Sequence, residues 1–474
     1  MNIKASHIDT NRVDSELFDT YLREETRLLK NWFDNKLFVE EGLEVGSEIE
    51  FFILNPRYKL ELKNIAFVDQ VSCAQLVTEC GAAQLEINSS HYNLTLDCLT
   101  RLHQNILNLW QKAYDGARNN EYHLALIGSM PVADDLHNKI CYLTKLKRYE
   151  LMNENVGKIL RRNPFSITLD GHEHLELHEP ISMCLGGLIS SLQLHLKVPL
   201  SQSVRYYNTT QAISAPMLAL CANSPYFNGQ DIWSETRICL YEQLFLINKG
   251  ADGLKHVDSF GKKYLSSSLF ELFEQNLGHS PRLLPEVSPS LPMDKMFHVR
   301  RQNGTIYRWN RPVIDFVNQK PHLRIEHRGP STGPTIIDMI ANAAFFYGIV
   351  NYFVNQSTPI ERLLDFECAK GNFYQAARFG LEAQLTWFDG RTLAACDLLK
   401  ELVPLASKGL LLLNIAKSDV DYYLNIIEQR LISRQNGAVW QQKFIEKYGK
   451  DFSNMLQAYV QNQNNDIPVS NWKI

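Results

Sequence analysis

Four stretches of this 474-residue chain alternate in the same unusual way, and no other feature restricts its fold as strongly. In VGSEIEFFIL, read as a strand, Glu48 and Glu50 share one face, with Ile49 and Phe51 on the other. AQLEIN sets Gln84, Glu86 and Asn88 against Leu85 and Ile87. SLQLHLKVP sets Gln193, His195 and Lys197 against Leu192, Leu194, Leu196 and Val198. HLRIEHRGP sets Arg324, Glu326 and Arg328 against Leu323, Ile325 and His327. An ordinary half-buried strand shows mixed polar residues to water. Here the apolar faces suit packing on a helix layer, while the opposite faces concentrate carboxylate, amide, imidazole and guanidinium.

If those faces meet, Glu48, Glu50, Glu86 and Glu326 crowd together. Two like charges about 4 Å apart repel by about 4 kcal/mol at an effective dielectric near 20, so such acids must protonate or gather cations. Carboxylates with one imidazole form a hard, oxygen-rich set suited to Mg²⁺, or to Mn²⁺, better than to a structural zinc. Arg324 and Arg328 are planar donors fit for phosphate or carboxylate. Neither GxxxxGK[ST] nor GxGxxG occurs, so any ATP would be held within the metal-lined sheet itself.

Around these strands the chain reads as α+β. Residues 14–36 have helical spacing and an acidic first turn. Strands are expected at 43–54, 82–88, 122–129, 165–170, 174–178, 188–198, 295–300, 305–309 and 321–328, and helices at 93–118, 143–157, 201–221 and 231–248. Asn303-Gly304 in HVRRQNGTIYRW has the composition of a tight hairpin turn. From Pro334 onward only helices are expected, including 335–353 and a last one over 438–461, before a loose polar tail, QNQNNDIPVSNWKI. No repeat or low-complexity linker divides the chain.

Hydrophobic residues at 45% and charged residues at 21% supply a sizeable core. A net charge of -4, with no long Lys/Arg run, gives no support to nucleic-acid binding. The nine cysteines never form a C-x-x-C pair, which excludes a zinc ribbon or a thioredoxin-like motif. The stretch MNIKASHIDTNRVDSELFDT lacks the apolar core of a signal peptide, and apolar runs such as APMLALCA are too short for a bilayer, so a cytoplasmic protein without membrane contact is expected. DGHEHLELHEP, with His172, His174 and His178, imitates a metal cluster, but Gly171 and Pro180 bracket it as an exposed hairpin.

Taken in order, the motifs resemble the glutamate-cysteine ligase family, within the superfamily that includes glutamine synthetase and the guanidino kinases. Gly46-Ser47-Glu48-Ile49-Glu50 is similar to the family's first-strand G-x-E-x-E, and Glu79 and Glu86 in TECGAAQLEIN to its next acidic pair. Gln193 and His195 resemble its Q-x-H strand, and ANSPYFNGQDIWSETRICLYEQ the segment that brings in a substrate-binding arginine, here Arg237. RWNRP at 308–312 and RIEHRGPSTGPTIIDMIANAAFF resemble the closing part. The resemblance covers about residues 44–350.

It implies a twisted, mainly antiparallel sheet forming an active-site funnel, backed by helices, with an all-helical C-terminal portion. Residues 1–350 would be a catalytic glutamine-synthetase-like domain with an N-terminal helix, and 351–474 a helical portion packed on the same unit. It implies ATP with Mg²⁺, activation of a carboxylate as an acyl phosphate, and attack by a small amine such as cysteine. Glu48, Glu50, Glu79, Glu86, His195 and Glu326 would be metal ligands. Arg328 and Arg324 would bind the transferring phosphate or activated carboxylate. Arg237 and Arg308, with Gln193 and Lys197, would bind substrate or nucleotide. Arg237 and Arg308 also have a simpler reading, as ion pairs with acidic neighbours such as Glu235. The competing functions are a phosphotransferase of guanidino-kinase type and a non-catalytic binding protein. The partners expected are small-molecule carboxylate and amine substrates, and a homo-oligomer is compatible with the chain.

Overall fold

All four alternating stretches are strands of one sheet in the computed structural model, which describes residues 13–133, 142–160, 167–177, 183–245 and 258–474. In chain order the strands are β1 (Glu44–Leu54), β2 (Leu76–Thr78), β3 (Gln84–Asn88), β4 (Tyr92–Asn93) and β5 (His123–Ala125). The hairpin β6 (Ile167–Asp170) and β7 (His174–Leu177) follows, then β8 (Leu192–Val198) and the small pair β9 (Tyr226–Phe227) and β10 (Gln230–Asp231). β11 (Asn310–Val317) and β12 (Lys320–His327) precede a last hairpin, β13 (Gln384–Thr386) and β14 (Thr392–Ala394). The main sheet runs β11-β12-β8-β1-β3-β2, with β4 and β5 also paired to β1, and every pair is antiparallel.

The apolar backs behave as their alternation requires. Ile49, Phe51, Leu85, Ile87, Leu192, Leu194, Leu196, Leu323 and Ile325 are all buried in the main core, each such side chain contributing about 1.5–3 kcal/mol. Helices Cys98–Arg118, Ser203–Cys221 and Ile336–Val354 cover that side. Helix Ile336–Val354 touches the sheet directly: Tyr347 donates its hydroxyl to the carbonyls of Gly46 and His195, and Phe346 stacks on His327 at 4.8 Å. By length and composition this helix could cross a membrane, contrary to the expectation that no run is long enough, but 94% of it is buried inside the protein, as a core helix is.

Four local expectations are corrected. The Asn303-Gly304 hairpin does not form, because Phe297–Thr305 is a helix. Its buried residues, His298, Val299, Gln302 and Asn303, follow helical spacing. Glu25, from the opening helix Ser15–Asp34, accepts the Val299 N–H at 2.9 Å near the new helix's first turn. The tail is not loose either. Val469 and Trp472 are buried, Trp472 packs edge-on against Trp440 and Tyr459, and Gln463 bonds both Leu126 N and Leu124 O beside β5. The last helix is two, Gly437–Tyr448 and Phe452–Asn464, broken at Gly449 with φ +83°. The C-terminal portion also carries β13–β14 among its helices.

Helix Ala395–Leu412 crosses helix Ile336–Val354 backbone to backbone. A Cβ on Gly409 would lie 1.8 Å from the Gly348 carbonyl oxygen. Gly409→Ala should therefore destabilise the protein, since overpacking of about 1–3 kcal/mol outweighs the roughly 1 kcal/mol of helix propensity that alanine normally adds. Urea unfolding should show a lower midpoint at unchanged slope. A raised midpoint would mean the two helices can separate without loss.

Candidate active site

Strand register decides which polar groups share a wall. Across β12, β8 and β1, Glu326 faces His195 and His195 faces Gly46. One row on, Glu48 lies between Gln193 and Asn88. Next, Glu50 stands directly opposite Glu86, the arrangement in which like charges on neighbouring strands destabilise a sheet. Glu79, just after β2, pairs its N–H with the Gln84 carbonyl and so joins the same end. In the other direction Arg324 faces Lys197, and Lys197 faces Glu44. Thus Glu48, Glu50, Glu79, Glu86, His195, Gln193, Lys197, Glu326, Arg324 and Arg328 are brought to one polar face.

Electrostatics divide that face. Glu326 is almost fully buried, yet Arg311 grips both its oxygens at 2.8–3.0 Å through Nε and Nη2, and Arg328 Nη1 also donates to Oε1. Burial works to raise its carboxyl pKa, but Arg311, Arg328 and His195 hold it far below the ordinary range. Arg328, despite burial, is held firmly protonated by Glu326 and Tyr307. It also donates to Gln193 Oε1 at 2.7 Å and sits 5.2 Å from the centre of the Tyr307 ring, which stacks on Tyr241.

The acids beyond β8 have less cationic company. Burial, then Glu48, Glu79 and Glu50, push the Glu86 carboxyl well above its usual range. Burial and Glu79 raise Glu50 to about 7 against Arg328, while Ser191 N (2.7 Å), Ser191 Oγ (3.1 Å) and Gln193 Nε2 (2.9 Å) all donate to it. Burial raises Glu79 as well, against Arg148. Burial also works to raise Glu48, but His195 beside it wins and leaves it lowered. His195 Nε2 is 3.3 Å from Glu48 Oε1, yet both ring nitrogens are buried without an aligned hydrogen-bond partner among the described residues. Among the described residues no three of His, Cys, Asp and Glu stand together as a ready-made metal group. Glu48, Glu79 and Glu86 do lie close enough to act on one another's charge, with His195 beside Glu48. Glu326 differs from them, because its oxygens are occupied by two guanidiniums.

The other two arginines are placed differently. Arg308 is buried away from the acids, donating to Asn276 Oδ1 at 2.8 Å, and the charges it feels are Tyr207 and Asp258. Arg237 is fully buried in an ion pair with Glu235 at 3.2 Å. Sequence reading overlooked Arg311, Arg148, Ser191 and Tyr307. Arg311 stood inside the quoted RWNRP segment, and only its cross-strand register with Glu326 reveals it. In the β6–β7 hairpin, His172 and His174 are exposed beside Asp231 and Asp170, while His178 lies outside the described residues.

Two outcomes are expected. Arg311→Ala leaves Glu326 buried with one partner fewer and should cost about 3 kcal/mol in urea unfolding; a loss below about 1 kcal/mol would make the pair an ordinary surface bridge. Glu86→Gln should raise the stability of metal-free protein, because it removes a repelled carboxylate. If Glu86 ligates a cation, the same change should weaken Mg²⁺ binding by more than the roughly 100-fold upper end of outer-shell changes, as followed by calorimetry. Unchanged Mg²⁺ affinity would remove Glu86 from the ligand set.

The sequence profile of glutamate-cysteine ligase family 2 matches residues 44–464. Among solved structures, the chain is similar to a glutamate–cysteine ligase from Francisella tularensis in complex with AMP, at 11% identity and a TM-score of 0.52, covering 90% of this chain and 89% of that one. It is also similar to a bifunctional glutathione synthetase from Pasteurella multocida, at 11% identity and a TM-score of 0.50, covering 95% of this chain and 55% of that one. At such identity these are likenesses of fold. A search of curated protein sequences returned no match.

Proposed function

The chain belongs to glutamate-cysteine ligase family 2, and on that premise we propose that it is an ATP- and Mg²⁺-dependent ligase joining a carboxylate, glutamate by preference, to cysteine or another small amine through an acyl phosphate. The observation that supports this reading most is the set of carboxylates Glu48, Glu50, Glu79 and Glu86, of which Glu50 and Glu86 are buried and the other two half-buried, kept together against their own repulsion and bordered by a restrained Arg328. A face used only to bind a neutral molecule has no need of that cost. The solved relative's complex with AMP agrees with a nucleotide-using site.

When bound, Mg²⁺ supplies charge neutralisation to the phosphates of ATP, and Glu48, Glu79, Glu86 and His195 are the residues that would hold it. Glu50, its oxygens already receiving Ser191 and Gln193, keeps the middle of the acid row in place. Arg328 is immobilised by Glu326, Gln193 and the Tyr307 ring, so its guanidinium is preorganised for an anion and needs no reorientation as charge develops. Arg324 and Lys197, one row further along, are each part-neutralised by Asp315 and Glu44 and extend the cationic border for nucleotide phosphates. A cytoplasmic setting suits a chain whose described cysteines carry no disulfide.

ADP release from Mg²⁺-ATP, measured over a panel of amino acid pairs, tests the reading. Release should require both glutamate and an amine, and Arg328→Ala should reduce kcat by about 100-fold or more. ADP with a stable phosphorylated product and no amine requirement would favour the guanidino-kinase type. Tight Mg²⁺-ATP binding without release under any pairing would favour a binding protein.

A further inference from the structure

Arg237, in helix Thr236–Phe245, has 0% exposure. Its donors are turned onto the chain itself. Nε reaches Ser331 Oγ at 3.1 Å and Glu235 Oε2 at 3.2 Å, and Nη2 holds the Gly329 carbonyl. Nη1 has no acceptor among the described residues and no surface open to solvent. The guanidinium instead lies 6.0 Å from the centre of the Trp309 ring, whose face attracts a cation. Glu235, equally buried, also accepts from Asn223 N at 2.7 Å, Ser331 Oγ at 2.9 Å and Ser224 Oγ at 3.0 Å. Of its donors only the Nη1 N–H groups are unspent, and they too are closed off from solvent.

What the pair does hold is the turn that follows β12. Arg328 opens that turn, with its N–H on the Trp309 carbonyl. Pro330 accepts the Leu192 N–H at 3.0 Å, and Ser331 bridges to Ser191. Ser191 in turn gives its N–H and hydroxyl to Glu50. Beyond the turn, Asn223 Nδ2 fastens the Thr332 carbonyl at 2.6 Å. The same few residues therefore lie under the principal arginine of the polar face and under one of its central acids.

We propose that Arg237 and Glu235 are positioning residues, a buried brace that fixes the 328–331 turn and through it Arg328 and Glu50, and that Arg237 touches no substrate. The chemistry being positioned rests on the ligase reading, whereas the brace itself does not. A brace acts on the geometry of the reacting groups, so its loss should appear in kcat; a substrate ligand of this kind should appear in KM.

The test uses the full chain with Ser331→Ala, Arg237→Gln and Arg237→Lys. Ser331→Ala is the mild variant, removing one hydroxyl and leaving the buried ion pair. In the ADP-release assay each variant should lose about 10-fold or more in kcat, as small misplacements of reacting groups do, with KM for glutamate and for Mg²⁺-ATP moved by less than about 3-fold. Arg237→Lys should be no better than Arg237→Gln, because an ammonium cannot span Ser331 and Gly329 together. Hydrogen exchange should quicken at the amides of Arg328 and Leu192. A rise in KM for glutamate at unchanged kcat, restored by lysine, would overturn the proposal, and so would unchanged exchange at both amides in all three variants. If the wild-type protein releases no ADP, the ligase reading fails, and the exchange measurement alone still decides the brace.

Discussion

Several carboxylates held out of water on one face of a sheet form the constraint that the rest of this structure answers to. Glu50 and Glu86 are opposed by register, and that register cannot slip. A shift of one residue would turn Ile49, Phe51, Leu85 and Ile87 onto the polar side and lose the packing behind the sheet. The apolar backs thus enforce the acidic front, and the repulsion must be relieved by what stands nearby.

That relief comes in two forms, and the face is divided between them. At β12 the compensation is covalently part of the protein, since Arg311 and Arg328 close on Glu326. Around Glu79 and Glu86 no comparable pairing exists among the described residues; these groups answer by holding protons more tightly. Glu50 lies between the regimes, fed by neutral donors from Ser191 and Gln193. On the proposed reading, a metal-bound phosphate would lie across the neutralised and unneutralised halves of this face.

Much of this was legible from one chain because period-two alternation is a local property. The strands around Glu48, Glu86, His195 and Glu326 needed only their own residues to be recognised, and the resemblance of their motifs followed. The failures lie where partners are distant in sequence. Asn303-Gly304 is a strong local turn signal and points to a hairpin at Phe297–Thr305, yet Glu25, far upstream, meets the helix there near its first turn. A hairpin there puts the strand at 305–309 and not at Asn310–Val317, which hides the register of Arg311 with Glu326. The polar tail read as loose because its anchors, Leu124 and Leu126, belong to the region of β5.

The chain's own order of residues determined that four strands would each carry an apolar and a charged side, because side chains alternate on any extended backbone whatever surrounds it. Which charges would neutralise one another was decided only by folding. Coulomb energy and hydrogen bonding depend on separation in space, and the partners of Glu326, Glu50 and Arg237 arrive from β11, β8 and the turn after β12. No spacing along the chain records that Arg237 would be sealed beneath the face it was expected to serve.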